Sequence, residues 1–392
     1  MFFFYIAFIF FVLSLSLPLY TYLVYPWLMK QRAKRIIPQK NNYNATQYPA
    51  ITVVFSVFNE ASVIQRKLES IFNSDYPKDK ISVLIGSDNS TDDTHFIIEE
   101  FQKKYNSIKL IKYEQRQGKL KIINQLIDLV TTEQIIFTDA NVFFEPQTFK
   151  ALVYNLIKNK ADLVCGNILK FSPKQQGISE QEIFYMNFEN QLKYNESLYY
   201  GFVVGVEGGC YAINKKSFVK VPDGFLMDDF FITLDVISKK GKVLFEPDAL
   251  CYEDVNDTPM IEFKRKIRIS LGNFRNLNYY KHLLFPIHKD FGFAFFSHKV
   301  CRWLVPFSIV FSFLLSLLLS SYSFWFTLIS IGFMLLFILP LLTIYLEKIK
   351  LKIPVINSLG HFLLMNLALI IGYFKYQFTS TESAWEPPKR NV

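Results

Sequence analysis

Long apolar stretches without charge, at both ends of the chain, constrain its structure more than any other feature. Residues 1–29 contain no charged residue and no histidine, and residues 303–346 contain no charged residue. A helix needs about 20 predominantly apolar residues to cross a bilayer. The polar sequence Ser320-Ser321-Tyr322-Ser323 divides the second stretch into two. With a further apolar stretch near the C-terminus, the sequence predicts four transmembrane helices, at residues 1–29, 303–322, 323–346 and 353–375.

The first stretch is interpreted as a retained membrane helix rather than a cleaved signal peptide. No basic residue precedes it, its apolar run is too long, and no small-residue cleavage site follows it. Lysines and arginines cluster instead at residues 30–35, directly after it. Because positively charged loops tend to stay in the cytoplasm, we expect residues 50–260 there. Lysines at positions 348, 350 and 352, before the last predicted span, favour the same orientation.

The net charge of the chain also suits a membrane protein. The formal charge is +9 at pH 7, and lysines and arginines next to a membrane are attracted to anionic lipid head groups. The sequence contains no recognised nucleic-acid-binding motif, so we expect membrane lipid, and no nucleic acid, as a partner. The chain is therefore predicted to be an integral protein of the inner or plasma membrane.

Between the apolar ends, the sequence alternates between strand and helix patterns. Residues 51–58 form a β-branched and aromatic run, the following residues to Phe72 carry apolar side chains at helical spacing, and residues 81–85 form the next strand pattern. Strand–helix–strand units with right-handed crossovers build parallel sheets. With further strand patterns at residues 108–113 and 135–138, the sequence predicts a doubly wound, mostly parallel α/β domain at residues 50–260.

Three other segments complete the predicted organisation. A basic and polar linker covers residues 30–49, and a polar tail covers residues 376–392. Residues 261–277 are basic and amphipathic, a pattern typical of helices that lie flat in a membrane interface. We therefore predict amphipathic interfacial helices at residues 261–302.

An acidic residue and an amide, Asp139 and Asn141, follow the strand predicted at residues 135–138. Open α/β sheets bind ligands at the carboxyl ends of their strands. Acidic side chains there repel a phosphate unless a divalent cation bridges the two, and Mg²⁺ does so through one or two carboxylates and the phosphate oxygens. We predict Asp139 as a ligand of Mg²⁺ or Mn²⁺, with Asn141 as a weaker carbonyl ligand. Taken alone, the sequence Asp-x-Asn more often forms a turn or a helix cap.

Polar residues also follow the first two predicted strands, namely Asn59 with Glu60, and Asp88. The Asp88 carboxylate is suited to accept hydrogen bonds from the base or ribose of a nucleotide, and its alternative role is an Asx turn or helix N-cap. Gly118 and Lys119 open a predicted helix and form a plausible cradle for a diphosphate. They lack the spaced glycines of a P-loop, which disfavours nucleotide hydrolysis at a Walker site.

Two adjacent carboxylates, Asp228 and Asp229, precede an apolar helical pattern. Anions at a helix N-terminus are stabilised by the helix dipole, so a charged cap is one interpretation. The functional interpretation makes one of them a general base that takes a proton from an attacking hydroxyl.

Together these motifs resemble the family 2 glycosyltransferases, specifically the membrane-bound members similar to the cellulose, hyaluronan and chitin-oligosaccharide synthases. The resemblance covers about residues 51–303. VVFSVFNE and LIGSDNSTDDT are similar to the two opening nucleotide-binding strands of the family, and FTDAN stands at its D-x-D metal motif. MDDF stands at its T-E-D motif, which implies Asp229 as the general base and Asp228 as the neighbouring acid. QGKLKIINQ resembles the G-K-x-x-x-x-N helix, and EGGCYAI resembles the donor-sugar loop; they imply substrate-binding roles for Gly118, Lys119, Asn124, Gly208, Gly209 and Cys210.

The resemblance implies a GT-A-like fold, and two departures from the family pattern bear on function. The D-x-D motif is D-x-N here, which leaves the metal one carboxylate short. The Q-x-x-R-W motif of processive members appears as residues 265–269, in which Arg268 is kept and Gln and Trp are replaced. The family's Trp resembles an acceptor platform, so its replacement argues against a long polymer. Arg268 is predicted to neutralise the leaving diphosphate, and its alternative is a solvated or lipid-facing helix charge.

The sequence therefore predicts an inverting glycosyltransferase that uses a nucleoside-diphosphate sugar, with a UDP-sugar expected. Its acceptor is predicted to be a glycan or a lipid-linked sugar in surface polysaccharide synthesis, and export or accessory subunits are left open. The alternative within this class is a single addition to a polyprenyl-phosphate-linked acceptor. A non-catalytic membrane subunit or a transporter belongs to a different class. It is disfavoured because the predicted spans hold few ionisable residues.

Overall fold

The computed structural model of the chain describes residues 1–37, 43, 48–171, 178–254, 259–349, 351 and 353–378. Residues 38–42 and 44–47 of the predicted linker, residues 379–392 of the predicted tail, and two lysines of the predicted cytoplasmic loop, Lys350 and Lys352, lie outside these residues. Contacts divide the chain into two compact units. Among the described residues, the sheet unit comprises positions between 32 and 171 and residues 182–254, and the helical unit comprises residues 1–31, 178–181 and positions between 259 and 378.

Eight strands in the described residues form one mixed sheet. They are β1 (Ile51–Val57), β2 (Ile81–Ser87), β3 (Ile108–Lys112), β4 (Gln134–Thr138), β5 (Val142–Phe144), β6 (Leu163–Phe171), β7 (Cys210–Asn214) and β8 (Val243–Asp254). Their order is β3-β2-β1-β4-β7-β6-β8-β5. The pairings are parallel from β3 to β4 and between β6 and β8, and antiparallel elsewhere. The predicted α/β fold is confirmed. The first four strands of the chain pair in parallel with one another, and antiparallel pairs join the remaining strands, apart from the parallel pair of β6 and β8.

The α-helices of the described residues occur in both units. In chain order they are α1 (Phe2–Leu19), α2 (Tyr25–Ala33), α3 (Ala61–Phe72), α4 (Thr94–Lys104), α5 (Lys119–Leu129), α6 (Thr148–Lys158), α7 (Ile178–Tyr200), α8 (Asp228–Ser238), α9 (Pro259–Tyr279), α10 (Asp290–Ala294), α11 (Cys301–Leu319), α12 (Phe324–Lys348) and α13 (Pro354–Phe378). Short π-helical segments, Tyr20–Val24 and Phe295–Val300, join α1 to α2 and α10 to α11.

Strand β4 lies in the middle of the sheet and is buried along its whole length. A strand that is covered on both faces reads as a continuous apolar run, which is what residues 135–137 show in the sequence. Helices α3 and α6 contribute Ile64, Leu68 and Leu152 to the same core. The carboxyl end of β4 is thereby fixed by packing, and the polar residues that follow it are held at one edge of the sheet.

The sequence patterns did not indicate the antiparallel part of the sheet. Strand β5 has only three residues, and β7 begins inside residues 201–211, whose four glycines do not indicate a strand. The apolar run at residues 243–245 predicts only a short strand, whereas β8 extends nine residues further, to Asp254. It contains the polar sequence Glu246-Pro247-Asp248, and its pairing with β6 shifts register between Cys165 and Asn167. The alternation of apolar and polar residues does not identify a bulged strand that polar residues interrupt in this way.

Within the part of the chain that the structure describes, four continuous helices are long and apolar enough to cross a membrane. They cover Phe2–Ala33, Asp290–Leu319, Phe324–Leu346 and Pro354–Phe378. One N-terminal and three C-terminal helices of this kind agree with the predicted fold class. The second of them begins at Asp290, inside the segment for which the sequence predicts interfacial helices.

Small and hydroxyl side chains bring these helices together. The Ser14 and Ser312 hydroxyls lie 2.7 Å apart between α1 and α11, and those of Ser316 and Ser330 lie 2.9 Å apart between α11 and α12. Small residues allow the backbones of membrane helices to approach closely. A Cβ atom on Gly360 of α13 would lie 2.8 Å from the carbonyl oxygen of Leu339 on α12, whereas Gly332 has nothing within 4 Å of its Cβ position.

We predict that Gly360→Ala destabilises the helical unit by about 1–3 kcal/mol, because the added methyl overpacks the contact between α12 and α13. Gly332→Ala is the matched control, since it adds the same methyl on α12 in open space. The thermal midpoint of the purified chain in detergent should fall for the first variant and stay or rise slightly for the second. Equal midpoints for the two variants would contradict this view of the packing.

Candidate active site

Asp139 lies directly after β4, at the carboxyl end where the sequence predicts a ligand site. Its Oδ1 accepts a hydrogen bond of 2.6 Å from the Lys119 ammonium. The Asp139 side chain is 39% exposed and the Lys119 side chain 28% exposed. The structure therefore brings together the predicted metal ligand and the predicted phosphate-binding lysine, with both groups still reachable from solvent.

Lys119 is the first residue of α5 and lies among three carboxylates. Burial alone would lower its pKa, but the charges of Asp139, Asp228 and Asp229 outweigh burial and raise the pKa above its ordinary value. The preceding Gly118 has a φ of 86°, a left-handed conformation that a glycine adopts without steric cost. Predicted residues of three separate motifs thus lie around one ammonium group.

Asp229, the predicted general base, is buried in the first turn of α8. Its Oδ2 accepts a hydrogen bond of 2.8 Å from the Gly208 N–H, and its Oδ1 accepts one of 2.7 Å from the Phe230 N–H. Burial and the neighbouring Asp228 raise its pKa to about 7, against the opposing effect of Lys119 and the two N–H groups. A carboxylate with a pKa near 7 is matched to proton transfer at neutral pH.

The glycines of the predicted donor-sugar loop hold the backbone close to other groups. A Cβ on Gly208 would lie 3.3 Å from Oδ2 of Asp229, and a Cβ on Gly209 would lie 2.8 Å from Cδ1 of Ile168 and 2.9 Å from Cγ2 of Val142. Cys210 is the first residue of β7, and its side chain is fully buried. The predicted substrate role of Cys210 therefore does not extend to its thiol, which belongs to the core.

Asp88 accepts hydrogen bonds from its own chain, and its role at the base or ribose of a nucleotide stays a prediction. Its buried carboxylate accepts hydrogen bonds of 2.6 Å from the Gln117 N–H and 3.1 Å from the Gly118 N–H, and the Arg116 guanidinium lies 3.7 Å away. These bonds fix the loop before α5. Asp88 thus accepts hydrogen bonds from a distant loop of its own chain, rather than from a local turn, and it positions Lys119 through Gly118.

Asn59 and Glu60 connect the end of β1 to the segment before α4. Asn59 has a φ of 52°, and its Oδ1 accepts a hydrogen bond of 2.8 Å from the Thr91 N–H. Glu60 is buried and donates its backbone N–H to Oγ1 of Thr94 at 2.8 Å. Both residues follow β1, which is the neighbour in the sheet of β2, the strand that precedes Asp88. The Asn59 side chain accepts a hydrogen bond within the chain, and Glu60 is buried.

Two further predicted residues are Asn124 and Arg268. Asn124 of α5 donates its amide to the Val221 carbonyl at 2.8 Å and accepts the Val221 N–H at 3.1 Å. Both polar atoms of its side chain thus hold the loop that leads to Asp228, and its role in substrate binding stays a prediction. Arg268 lies on α9 in the helical unit, and its role at the diphosphate stays a prediction.

Two buried lysines that the sequence motifs do not contain support the site. Lys67 of α3 donates to Oγ1 of Thr138 at 2.7 Å, directly before Asp139. Lys193 of α7 forms a buried ion pair with Glu207, directly before Gly208. A usable signal existed for Lys67, because it interrupts the apolar stripe of α3 formed by Val63, Ile64, Leu68 and Ile71.

The side chains present fit a divalent cation that shares its ligands with a phosphate. Within the described residues, no three His, Cys, Asp or Glu side chains are grouped to hold a metal by themselves. Asp139 offers one carboxylate, and Asn141 donates its amide N–H to Oε1 of Glu253 at 3.4 Å, which leaves a carbonyl oxygen as its metal-binding atom. Mg²⁺ sites of this kind use one or two carboxylates and complete their coordination with water and substrate phosphates.

Comparison with known proteins gives a consistent family. Residues 52–221 match the model of the glycosyl transferase family 2. The chain is 26% identical over 258 residues to a poly-β-1,6-N-acetyl-D-glucosamine synthase of Staphylococcus epidermidis, a match that covers 64% of this chain and 60% of that protein. The chain thus spans less than two thirds of this relative's length.

Two other proteins are similar to parts or all of the chain. A dolichyl N-acetyl-α-D-glucosaminyl phosphate 3-β-D-2,3-diacetamido-2,3-dideoxy-β-D-glucuronosyltransferase of Methanococcus voltae is 32% identical over 120 residues, which cover 30% of this chain and 37% of that protein. A solved mannosyltransferase of Pyrobaculum calidifontis, in complex with GDP-Man and Mn²⁺, has a TM-score of 0.70 at 19% identity and covers 95% of this chain and 100% of its own. This structural likeness establishes a shared fold.

The raised pKa of Asp229 predicts a pH dependence of stability. Between the ordinary pKa of 3.8 and the raised value of about 7, the folded chain retains a proton that the unfolded chain loses. The contribution of Asp229 to the free energy of unfolding is therefore fully present below pH 4, decreases as the pH rises to 7, and is lost above pH 7. The shift of about three units corresponds to at most about 4 kcal/mol.

Asp229→Asn should remove this dependence. Thermal midpoints of the full chain in detergent, measured from pH 4 to pH 8, should shift in favour of the variant as the pH rises. Asp223→Asn is the control, because the Asp223 side chain is 62% exposed and its replacement should leave the wild-type pH profile unchanged. A constant difference between wild type and Asp229→Asn across this range would refute the raised pKa.

Proposed function

We propose that this chain, whose residues 52–221 form a glycosyl transferase family 2 domain, is an inverting glycosyltransferase. It moves a sugar from a nucleoside-diphosphate sugar, with a UDP-sugar expected, to an acceptor hydroxyl at a membrane. The observation that carries the proposal is the site at Lys119, where a buried carboxylate with a pKa near 7 lies beside a cation and a second, exposed carboxylate.

Asp229 is the general base of the proposed reaction. It accepts the proton of the acceptor hydroxyl, whose oxygen then forms a bond to the anomeric carbon while the bond from that carbon to the diphosphate oxygen breaks. The N–H groups of Gly208 and Phe230 hold the carboxylate in a fixed orientation throughout. Attack and departure on opposite faces of the sugar invert the anomeric configuration.

The developing charge of the leaving diphosphate is the second requirement of the reaction. Lys119 supplies a positive charge next to Asp139, and fixed charges aimed at a developing anion lower the barrier of such reactions. Asp139 and the Asn141 carbonyl would hold Mg²⁺ or Mn²⁺, which, when bound, neutralises the diphosphate as a Lewis acid. Arg268 is proposed as a further cation for the same leaving group.

The acceptor is proposed to be a glycan or a lipid-linked sugar, which explains why a transferase needs transmembrane helices. Four helices of suitable length and composition and the basic residues 30–35 support an integral membrane protein with a cytoplasmic catalytic domain. The Staphylococcus relative, a polysaccharide synthase by its name, supports a glycan product. Export or accessory subunits would then be partners of this chain.

A single addition to a polyprenyl-phosphate-linked acceptor is the second candidate. It is favoured by the replacement of the Gln and Trp that accompany Arg268 in processive members. The Methanococcus relative, whose name describes transfer to a dolichyl-phosphate-linked sugar, points in the same direction. The length of the product formed in membranes, one sugar or many, separates the two candidates.

We predict that Asp229→Asn lowers the rate of transfer by about 10²–10⁴-fold, the usual contribution of a general base. The assay is the release of nucleoside diphosphate by the purified chain, supplied with Mn²⁺, a panel of UDP- and GDP-sugars, and membrane extracts as acceptor. For the wild type, the rate should rise as the pH increases through 7, because only the ionised carboxylate accepts a proton. Asp223→Asn serves as the exposed control. Equal rates for wild type and Asp229→Asn with every active donor would disprove the assignment of the base.

We also predict that Asn141→Asp lowers the Mn²⁺ concentration needed for half-maximal transfer by several-fold, because a second carboxylate strengthens a site for a divalent cation. Glu253, near the Asn141 amide, limits the gain by repulsion. Asn141→Ala should raise the same concentration. The proposed metal position is wrong if neither substitution changes the Mn²⁺ dependence.

A further inference from the structure

Lys67 of α3 holds both ends of the turn that carries Asp139 and Asn141. Its side chain is fully buried. The ammonium donates to Oγ1 of Thr138 at 2.7 Å and to the carbonyl oxygen of Val142. Thr138 precedes the predicted metal ligands and Val142 follows them, so one cation fixes the turn at both of its ends.

The same contact extends to the loop that supports the general base. Oγ1 of Thr138, which accepts the bond from Lys67, donates its own hydrogen to the carbonyl oxygen of Gly209 at 2.8 Å. The neighbouring Gly208 donates its N–H to Asp229. Lys67 is therefore connected through one hydroxyl to the loop that orients the base, as well as to the turn of the metal ligands.

Packing alone does not account for a lysine at this position. Its ammonium lies 3.8 Å from the ring centroid of Phe144 and 5.7 Å from that of Phe55, and among the described residues no carboxylate forms an ion pair with it. Burial lowers its pKa to about 7, against the opposing charges of nearby groups. Burying a cation without a paired anion is costly, and a methionine of similar length would fill the same space without that cost.

We propose that Lys67 is a positioning residue that holds the Thr138–Val142 turn in the geometry in which Asp139 and Asn141 bind a divalent cation and the diphosphate. It does not touch the substrate. It acts through two hydrogen bonds to the backbone and side chain of residues next to the ligands. This inference rests on the proposed function of the site and names a residue that the sequence motifs of that function do not contain.

The first test measures binding rather than turnover. UDP and GDP are titrated into the full chain in detergent, with and without Mn²⁺, and Mn²⁺ binding is followed separately by electron paramagnetic resonance. Lys67→Met should weaken Mn²⁺-dependent nucleotide binding by about tenfold or more, the usual effect of removing a group that orients metal ligands. Lys158→Met, at an exposed position in the last turn of α6, should bind like the wild type.

The outcomes separate this inference from the proposed function. If the wild type binds either nucleotide in a Mn²⁺-dependent manner and Lys67→Met binds it equally well, the positioning role is wrong and the proposed function stands. If the wild type shows no Mn²⁺-dependent binding of either nucleotide, both are overturned.

The second test reads the turn itself. Hydrogen exchange of the amides between residues 138 and 143 should become several-fold faster in Lys67→Met, while exchange in β3, at the far edge of the sheet, stays unchanged. A merely structural role would raise exchange throughout the sheet. Should Lys67→Met fail to fold, Thr138→Val removes the same hydroxyl contact while keeping Lys67, and it should weaken Mn²⁺-dependent nucleotide binding in the same way. Unchanged binding by a folded Thr138→Val variant would overturn the inference.

Discussion

The positive charge of Lys119 among Asp139, Asp228 and Asp229 is the interaction on which the site depends. Like charges a few ångströms apart repel strongly in a partly buried site, so three carboxylates would not remain together without a cation. Lys119 offsets part of the effect of burial and of Asp228 on Asp229. The pKa of about 7 at Asp229 is therefore a balance, in which burial and Asp228 raise the value, and Lys119 with two backbone N–H groups keeps it from rising further.

The acidic residues of this sheet edge divide into two groups with different tasks. Asp88 is buried and accepts hydrogen bonds from the N–H groups of Gln117 and Gly118, so its carboxylate stabilises the backbone of its own chain. More than a third of the Asp139 side chain is exposed. A diphosphate and its cation would replace the ion pair between Asp139 and Lys119, because Asp139 would contact the cation and Lys119 the diphosphate. Asp88 accepts hydrogen bonds from two backbone N–H groups directly before Lys119, at the place where Lys119 must be held.

The sequence predicts the parallel half of the sheet and the positions of the acidic motifs because both depend on local patterns. The apolar run before Asp139 is a strand that is buried on both faces, and the two carboxylates at Asp228 begin α8 as a helix-start pattern indicates. Strand β7 was not predicted, because its place in the sheet depends on pairing with β4 and β6, which lie far away in the chain. The hydrogen bonds of Asp88 were not predicted for a similar reason, since the N–H groups that donate to it belong to residues about 30 positions later.

Buried charge gives a separate argument for where the site lies. The described residues contain three lysines with less than a tenth of their surface exposed, namely Lys67, Lys170 and Lys193. Lys67 contacts Thr138 beside Asp139, Lys170 pairs with Glu253, which faces Asn141, and Lys193 pairs with Glu207 beside Gly208. Each such cation costs stability that an apolar residue would not, and local violations of good packing concentrate at functional sites. Lys67 contacts the Thr138–Val142 turn directly, Lys170 reaches it through Glu253, and Lys193 pairs with Glu207 in the loop that precedes β7. This distribution is expected if the sheet loses stability there in order to hold the ligands of a cation and a base in fixed positions.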